Sequence, residues 1–283
     1  MSILSCTDGS NYSPSVYDHT AWVAQRTQAS IHVLHTLDPH RESASLADLS
    51  GSLMVDAQQA LLAELVALDE AKSRVARLRG DAILAEADRH LRATGLTNIH
   101  IEQRHGTLVD TVAEYTPTSE LLVIGKRGKS ADFATMHLGG NLERIIRSAH
   151  QPVLVTSRSF RPIDKFLLAF DGGPSAEKAV TYAINQPLLQ GLTCHLYMAG
   201  ISNAQTPPAF ENAAQKLSNA GYQVIPHLNP GEPEEGITAT LKSAEIPLLV
   251  MGAYGHTRIR HLLLGSTTTT MVRTCLVSVL MFR

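Results

Sequence analysis

The stretch Phe166-Leu167-Leu168-Ala169-Phe170-Asp171-Gly172-Gly173 is a short apolar run that stops at an acidic residue and two glycines. A run this brief and this uniformly apolar predicts a strand buried on both faces rather than one face of a helix. The chain opens in the same way, with an apolar run that ends in Cys6-Thr7-Asp8-Gly9-Ser10. After each Asp comes a helical stretch, Val16 to Gln28 in one case and Ser175 to Asn185 in the other. A second strand follows each helix, Ile31-His32-Val33-Leu34-His35-Thr36 and Cys194-His195-Leu196-Tyr197-Met198-Ala199.

The repeat continues to the end of the chain. Leu121-Leu122-Val123-Ile124-Gly125 matches Leu248-Leu249-Val250-Met251-Gly252, and the last apolar runs are Pro152 to Val155 and Val277 to Met281. Each half therefore reads β-α-β-α-β-α-β-α-β. The fold class is α/β, with two tandem doubly wound domains, each a five-stranded parallel sheet with helices on both faces. The expected boundaries are 1–157 and 163–283, joined by a link too short to let the halves drift apart.

Composition narrows the function. Lysine plus arginine number 24 and aspartate plus glutamate 26, a formal net charge of −2, so no global basic field marks a nucleic-acid binder. No long apolar run spans a membrane and the first residues do not read as a signal peptide. Three scattered cysteines (Cys6, Cys194, Cys275) suit a reducing cytoplasm, and Cys6 reads as a small buried apolar group. His32 and His35, three apart on a strand, point to opposite faces, so no metal site is expected. No paired carboxylates or Ser-His-Asp set emerges, and no catalytic residue is assigned.

The halves differ between their second and third strands, where the first carries an extra helical segment, about residues 41–94. Leu61, Leu62, Leu65 and Leu68 share a helical face, and Gly51 and Gly80-Asp81 are the expected breaks, with Asp81 as an N-cap. Such an insert either covers its own sheet or serves as an arm or lid for assembly. Its basic run Lys72, Arg74, Arg77, Arg79 reads as a solvated face.

Ligands of doubly wound sheets sit outside the carboxyl ends of the strands. There the second half places Gly252-Ala253-Tyr254-Gly255, nine residues, then Gly265-Ser266-Thr267 before a helical run from Thr268 to Thr274. Glycines permit close backbone approach, and a helix start offers free N–H groups to an anion. Ser266 is the expected cap, and His256, Arg258, Arg260 and His261 add positive potential. The first half reads Gly125-Lys126-Arg127-Gly128, ten residues, then Gly139-Gly140-Asn141, one residue longer and with Asn141 in the hydroxyl's place, as the expected cap of a helix from Leu142 to Arg147. Gly128-Lys129-Ser130 is not a Walker A loop, because residue 123 is Val.

This G-2x-G-9x-G-S spacing, with the upstream Asp171, resembles the nucleotide-binding members of the universal stress protein family, in a tandem form that covers essentially the whole chain. The resemblance implies a Rossmann-like, adenine nucleotide alpha hydrolase-like fold and an ATP-type ligand, with or without magnesium. It places Asp171 at the adenosine end, Ala199 beside adenine and Met251 in the pocket lining. Gly252, Gly255, His256, Gly265, Ser266 and Thr267 would surround ribose and phosphates. The first-half counterparts, Asp8, Gly125, Gly128, Gly140 and Asn141, form a weaker site. The resemblance also implies that the final strands of the two halves pair as an intramolecular pseudo-dimer, with a homodimer through the insert as a further option. The expected role is regulatory, with at most weak ATP hydrolysis. The alternative is a scaffold with vestigial pockets.

Overall fold

The computed structural model describes residues 1–38, 55–126, 140–200, 206–253 and 266–283. The first half contains β1 (Ser2–Cys6), α1 (Ser13–Thr27), β2 (Ser30–Leu37), α2 (Val55–Ala93), β3 (Ile99–His105), α3 (Leu108–Tyr115), β4 (Leu121–Gly125), α4 (Gly140–Ser148) and β5 (Val153–Thr156). The second contains β6 (Lys165–Ala169), α5 (Pro174–Asn185), β7 (Thr193–Ala199), α6 (Pro208–Asn219), β8 (Val224–Asn229), α7 (Pro233–Ser243), β9 (Leu248–Gly252), α8 (Ser266–Thr274) and β10 (Ser278–Phe282).

All ten strands form one sheet in the order β3-β2-β1-β4-β5-β10-β9-β6-β7-β8. Pairing is parallel within each half, and the halves join where β5 meets β10 antiparallel, with Val153 opposite Met281, Leu154 opposite Leu280 and Val155 opposite Val279. Successive strand residues feed opposite faces. Leu121 and Val123 lie in the core under α1, α2, α5 and α6, whereas Leu122 and Ile124 lie under α3, α4, α7 and α8. With few aromatics, both cores are filled mainly by Leu, Ile, Val and Ala, as the composition requires.

A polar knot seals the junction of the halves. His19 of α1 is fully buried, with Nδ1 2.6 Å from the Ser15 carbonyl and Nε2 2.6 Å from Ser278 Oγ of β10. These partners assign a neutral ring that donates to Ser15 and accepts from Ser278. The Ser157 amide donates to the same Ser278 oxygen at 3.0 Å, Ser15 Oγ donates to the Ser157 carbonyl at 2.8 Å, and Phe160 meets the ring edge-on. Residues from α1, the interdomain link and the last strand are thereby tied at one point.

The insert departs from expectation. Helix α2 runs unbroken through Gly80 and Asp81, so neither ends a helix and Asp81 caps nothing; Gly51 lies outside the described residues. The reason is local packing. A Cβ on Gly80 would collide with the Gln103 side chain and come within 2.9 Å of the His35 ring, so the glycine is where the helix presses on β2 and β3. Among the described residues α2 covers the sheet through its C-terminal part, by Leu84, Ala87 and Leu91, with His90 Nε2 2.7 Å from Asp18 Oδ1 of α1. A helix of 39 residues is about 58 Å long, and its N-terminal part stands off the sheet. Leu62, Val66, Leu68, Val75 and Leu78 there are 50–64% exposed. Of the two readings of the insert, the covering helix describes residues 80–93, and residues 61–79 are largely exposed. The basic run lies on the arm, with Arg74, Arg77 and Arg79 exposed, as a solvated face should.

Burial lowers the His19 pKa from 6.5 to about 4, outweighing the Ser15 carbonyl and Asp18, which act the other way. Between these values the unfolded chain binds more protons than the folded one, so stability is fully present above pH 6.5 and is lost as pH falls toward 4. The loss at His19 amounts to about 3 kcal/mol. Denaturant unfolding at a series of pH values should show this decline in the native chain and a shallower one in His19→Gln.

Candidate functional site

In each half the sheet order reverses direction beside its first strand. β6 is followed by β7 on one side and neighbours β9 on the other, and β1 sits likewise between β2 and β4. The crevice at that switch point, past the carboxyl ends, is where the geometry of such sheets leaves room for a ligand. Asp171 leaves β6 and Gly252 ends β9, so the two residues flank the second crevice.

Short-range contacts fix both. Asp171 Oδ1 accepts from the Gly173 amide at 2.8 Å, a turn that starts α5 at Pro174. A Cβ on Gly252 would stand 2.8 Å from Ser175 Cβ and 3.2 Å from the Ala176 nitrogen. Close approach of β9 to the first turn of α5 therefore requires glycine there. The Ala253 amide donates to the Phe282 carbonyl at 2.7 Å, and Thr268 Oγ1 of α8 donates to the Gly252 carbonyl at 3.1 Å. Thr268 is buried, and this hydroxyl docks the first turn of α8 onto the end of β9. The sequence reading passed over Thr268 because a threonine inside a four-threonine run carries no distinguishing pattern.

Among the described residues helix α8 runs from Ser266, two residues earlier than the run from Thr268, so Ser266 is helical rather than preceding the helix as a cap. Ser266 is exposed and Thr267 half-buried. Ala199 ends β7 half-buried, followed by Gly200, and Met251 is buried beside Gly252. Gly128, Gly255, His256 and Gly265 lie outside the described residues.

The first crevice has the same skeleton with different contents. Asp8 Oδ1 accepts from the Ser10 amide at 3.0 Å, as Asp171 does from Gly173. Thr7, Ser13 and Tyr17 close on one another by hydrogen bonds of 2.8–2.9 Å. Helix α2 lies over the rim: a Cβ on Gly9 would stand 2.6 Å from the Ile83 side chain, and His35 Nδ1 holds the Thr7 carbonyl at 2.8 Å. Gly125 ends β4, and the next residue, Lys126, donates its ammonium to the Cys275 carbonyl just past α8. Gly140 opens α4, and Asn141 stands inside its first turn instead of capping it. Burial pushes the thiols of Cys6 and Cys194 up to about 12, which leaves both protonated and inert, in line with the structural role expected of Cys6.

Two doubly wound units sharing one sheet, each with an Asp-Gly turn at its switch point, define an α/β protein of the Rossmann-like class. The universal stress protein family model matches residues 1–157 and again 162–283, and the chain belongs to that family. A universal stress protein of Synechocystis, Slr1230, is 37% identical over 285 residues, covering 99% of both chains. A crystal structure of a universal stress protein from Archaeoglobus fulgidus superposes with a TM-score of 0.73 at 18% identity, covering 100% of this chain and 98% of that one. A Pseudomonas aeruginosa PAO1 protein of unknown function does so at 0.62 and 18%, over 99% and 92%. These two likenesses concern the fold. Among the described residues no helix is long and apolar enough to cross a membrane.

Gly252→Val should destabilise the chain by about 2 kcal/mol, because the added methyls meet α5 backbone that cannot yield. Ser266→Ala, at an exposed position, should change stability by less than about 0.5 kcal/mol. Urea unfolding of both variants checks the contrast.

Proposed function

We propose that the chain binds an adenine nucleotide of the ATP type in the second half, in a regulatory rather than a metabolic role. Asp171 receives the adenosine end, Ala199 offers backbone contacts to adenine, and Met251 lines the pocket. Gly252, Gly255, His256, Gly265, Ser266 and Thr267 surround ribose and phosphates, with the start of α8 as the anion-facing element. The observation that carries this reading is the convergence of Asp171, Gly252 and the first turn of α8 on the β6–β9 switch point. The preference for the second half rests on its fuller Gly252, Gly255, Gly265, Ser266 spacing and on the first crevice, where Ile83 of α2 rests on Gly9. Magnesium, if it accompanies the nucleotide, is held through the phosphates.

Calorimetry with ATP should give a single site per chain. Asp171→Ala should weaken it by tenfold or more, and Asp8→Ala should leave it unchanged. Mass spectrometry of small molecules released from the purified chain should detect an adenine nucleotide. No binding at millimolar ATP together with no released nucleotide would overturn the reading.

One observation favours a second reading, an interaction role for the arm. Five large apolar side chains at 50–64% exposure on one helix are a surface that association would cover. Replacing Leu62, Leu68, Val75 and Leu78 by Ser leaves the core untouched, since the arm stands off the sheet. If the arm mediates assembly, sedimentation should show a smaller species for this variant than for the native chain. Removal of the whole insert is a poorer test, because it deletes Leu84, Ala87 and Leu91 from the core.

A further inference from the structure

The parallel register of β2 and β3 sets His32 directly opposite His100, and Glu102, two residues on, shares the face of His100. A ring nitrogen of His32, a ring nitrogen of His100 and a carboxylate oxygen of Glu102 all lie within 4.8 Å of one another. His32 Nε2 is 2.9 Å from Glu102 Oε2, and His100 Nε2 is 3.9 Å from the same oxygen. We infer that His32, His100 and Glu102 form a divalent transition-metal site of the zinc type on the outer edge of the first half, remote from the nucleotide crevice.

Three observations support it. The donor set, two imidazoles and a carboxylate, is one that zinc takes with a fourth position left to water. The spacing fits: donors at about 2.0–2.2 Å from one ion stand roughly 3–3.5 Å apart, and the observed 2.9 and 3.9 Å bracket that range. The 69%-exposed His100 has the freedom to close the longer gap. Next, His32 Nε2 is buried and makes no hydrogen bond of acceptable angle, although it lies 2.9 Å from Glu102 Oε2, so its donor capacity toward a cation is not used within the chain.

Third, the surrounding groups orient the ligands. The Tyr115 hydroxyl of α3 donates to Glu102 Oε2 at 2.6 Å, Arg104 Nη1 donates to Oε1 at 3.3 Å, and the Tyr115 ring packs edge-on against His32. Arg104 is itself shared with Glu114 at 2.7 Å, so two carboxylates face one guanidinium and the cluster retains a negative charge for the cation.

The second half supplies an internal contrast. His195 occupies the place of His32, and His227 that of Glu102, but Ile225 stands opposite His195 where the first half has His100. His195 Nδ1 and His227 Nε2 bond directly at 2.9 Å as stacked rings. That pair satisfies itself and, among the described residues, gathers no third ligand. A metal at the first-half cluster would clip the edge strand β3 to β2.

Zinc titration of the full chain by calorimetry, with cobalt as a visible-absorbing substitute, tests the site. The expected result is a zinc equivalent and a cobalt d–d band that both weaken at least tenfold in His100→Ala and in Glu102→Gln, while His105→Ala, an exposed histidine on the same strand, leaves them unchanged. Hydrogen exchange over residues 99–105 should slow on zinc addition in the native chain and not in His100→Ala. A His100→Ala variant that melts like the native chain and still binds zinc and cobalt equally well would overturn the proposal, as would a native chain that binds neither.

Discussion

The antiparallel contact of β5 with β10 is the constraint on which the rest of the molecule depends. Each half ends its sheet with an apolar strand whose outer edge would otherwise carry unpaired amides and carbonyls. Pairing the two edges joins ten strands into one sheet and makes both helical layers continuous across the junction. The junction also sets the chemistry beside it. His19, Ser157 and Ser278 come from three separate segments, and their mutual hydrogen bonds form only when the strands pair in this register. Lys126 crosses the same boundary to the Cys275 carbonyl, so the end of β4 in one half touches the end of α8 in the other.

Within this near-symmetric frame the two halves have diverged at the crevice. Each keeps the Asp turn at the exit of its first strand, since that turn starts a helix whether or not a ligand is present. What differs is the material above it. Helix α2 crosses the first crevice near Ile83 and Gly80, then continues outward as an arm with apolar side chains in water. The second crevice is bordered by the Gly252 approach to α5 and the docked start of α8. Helix α2 thus divides two tasks along its length, with residues 80–93 serving the core and residues 61–79 available for contact.

The His32–His100–Glu102 cluster shows how a site can arise from register alone. Its two histidines are 68 positions apart in sequence, and no motif links them. The half-turn of strand geometry that separates His32 from His35 argues against chelation within one strand, and it is correct as far as it goes. The partner across the sheet changes the outcome.

Much of the fold was legible in the chain itself. Apolar runs of strand length, each ended by Asp-Gly or Gly and repeated in order, determine the doubly wound class, the duplication and the positions of Asp8, Asp171, Gly125 and Gly252, because these are local consequences of burial and of turn chemistry. Helix starts were less legible: Ser266 and Asn141 read as caps but lie within helices, and in α8 the buried Thr268 hydroxyl ties that end of the helix to β9. Gly80 read as a break because propensity disfavours glycine in a helix, and the tertiary fold overruled it where β2 and β3 left no room for a Cβ. The sequence by itself determined which residues stand at the ends of which strands. Only the tertiary structure decided which strands are neighbours, where α2 rests on the first crevice, and which histidines meet, because those outcomes depend on contacts between segments that no local pattern encodes.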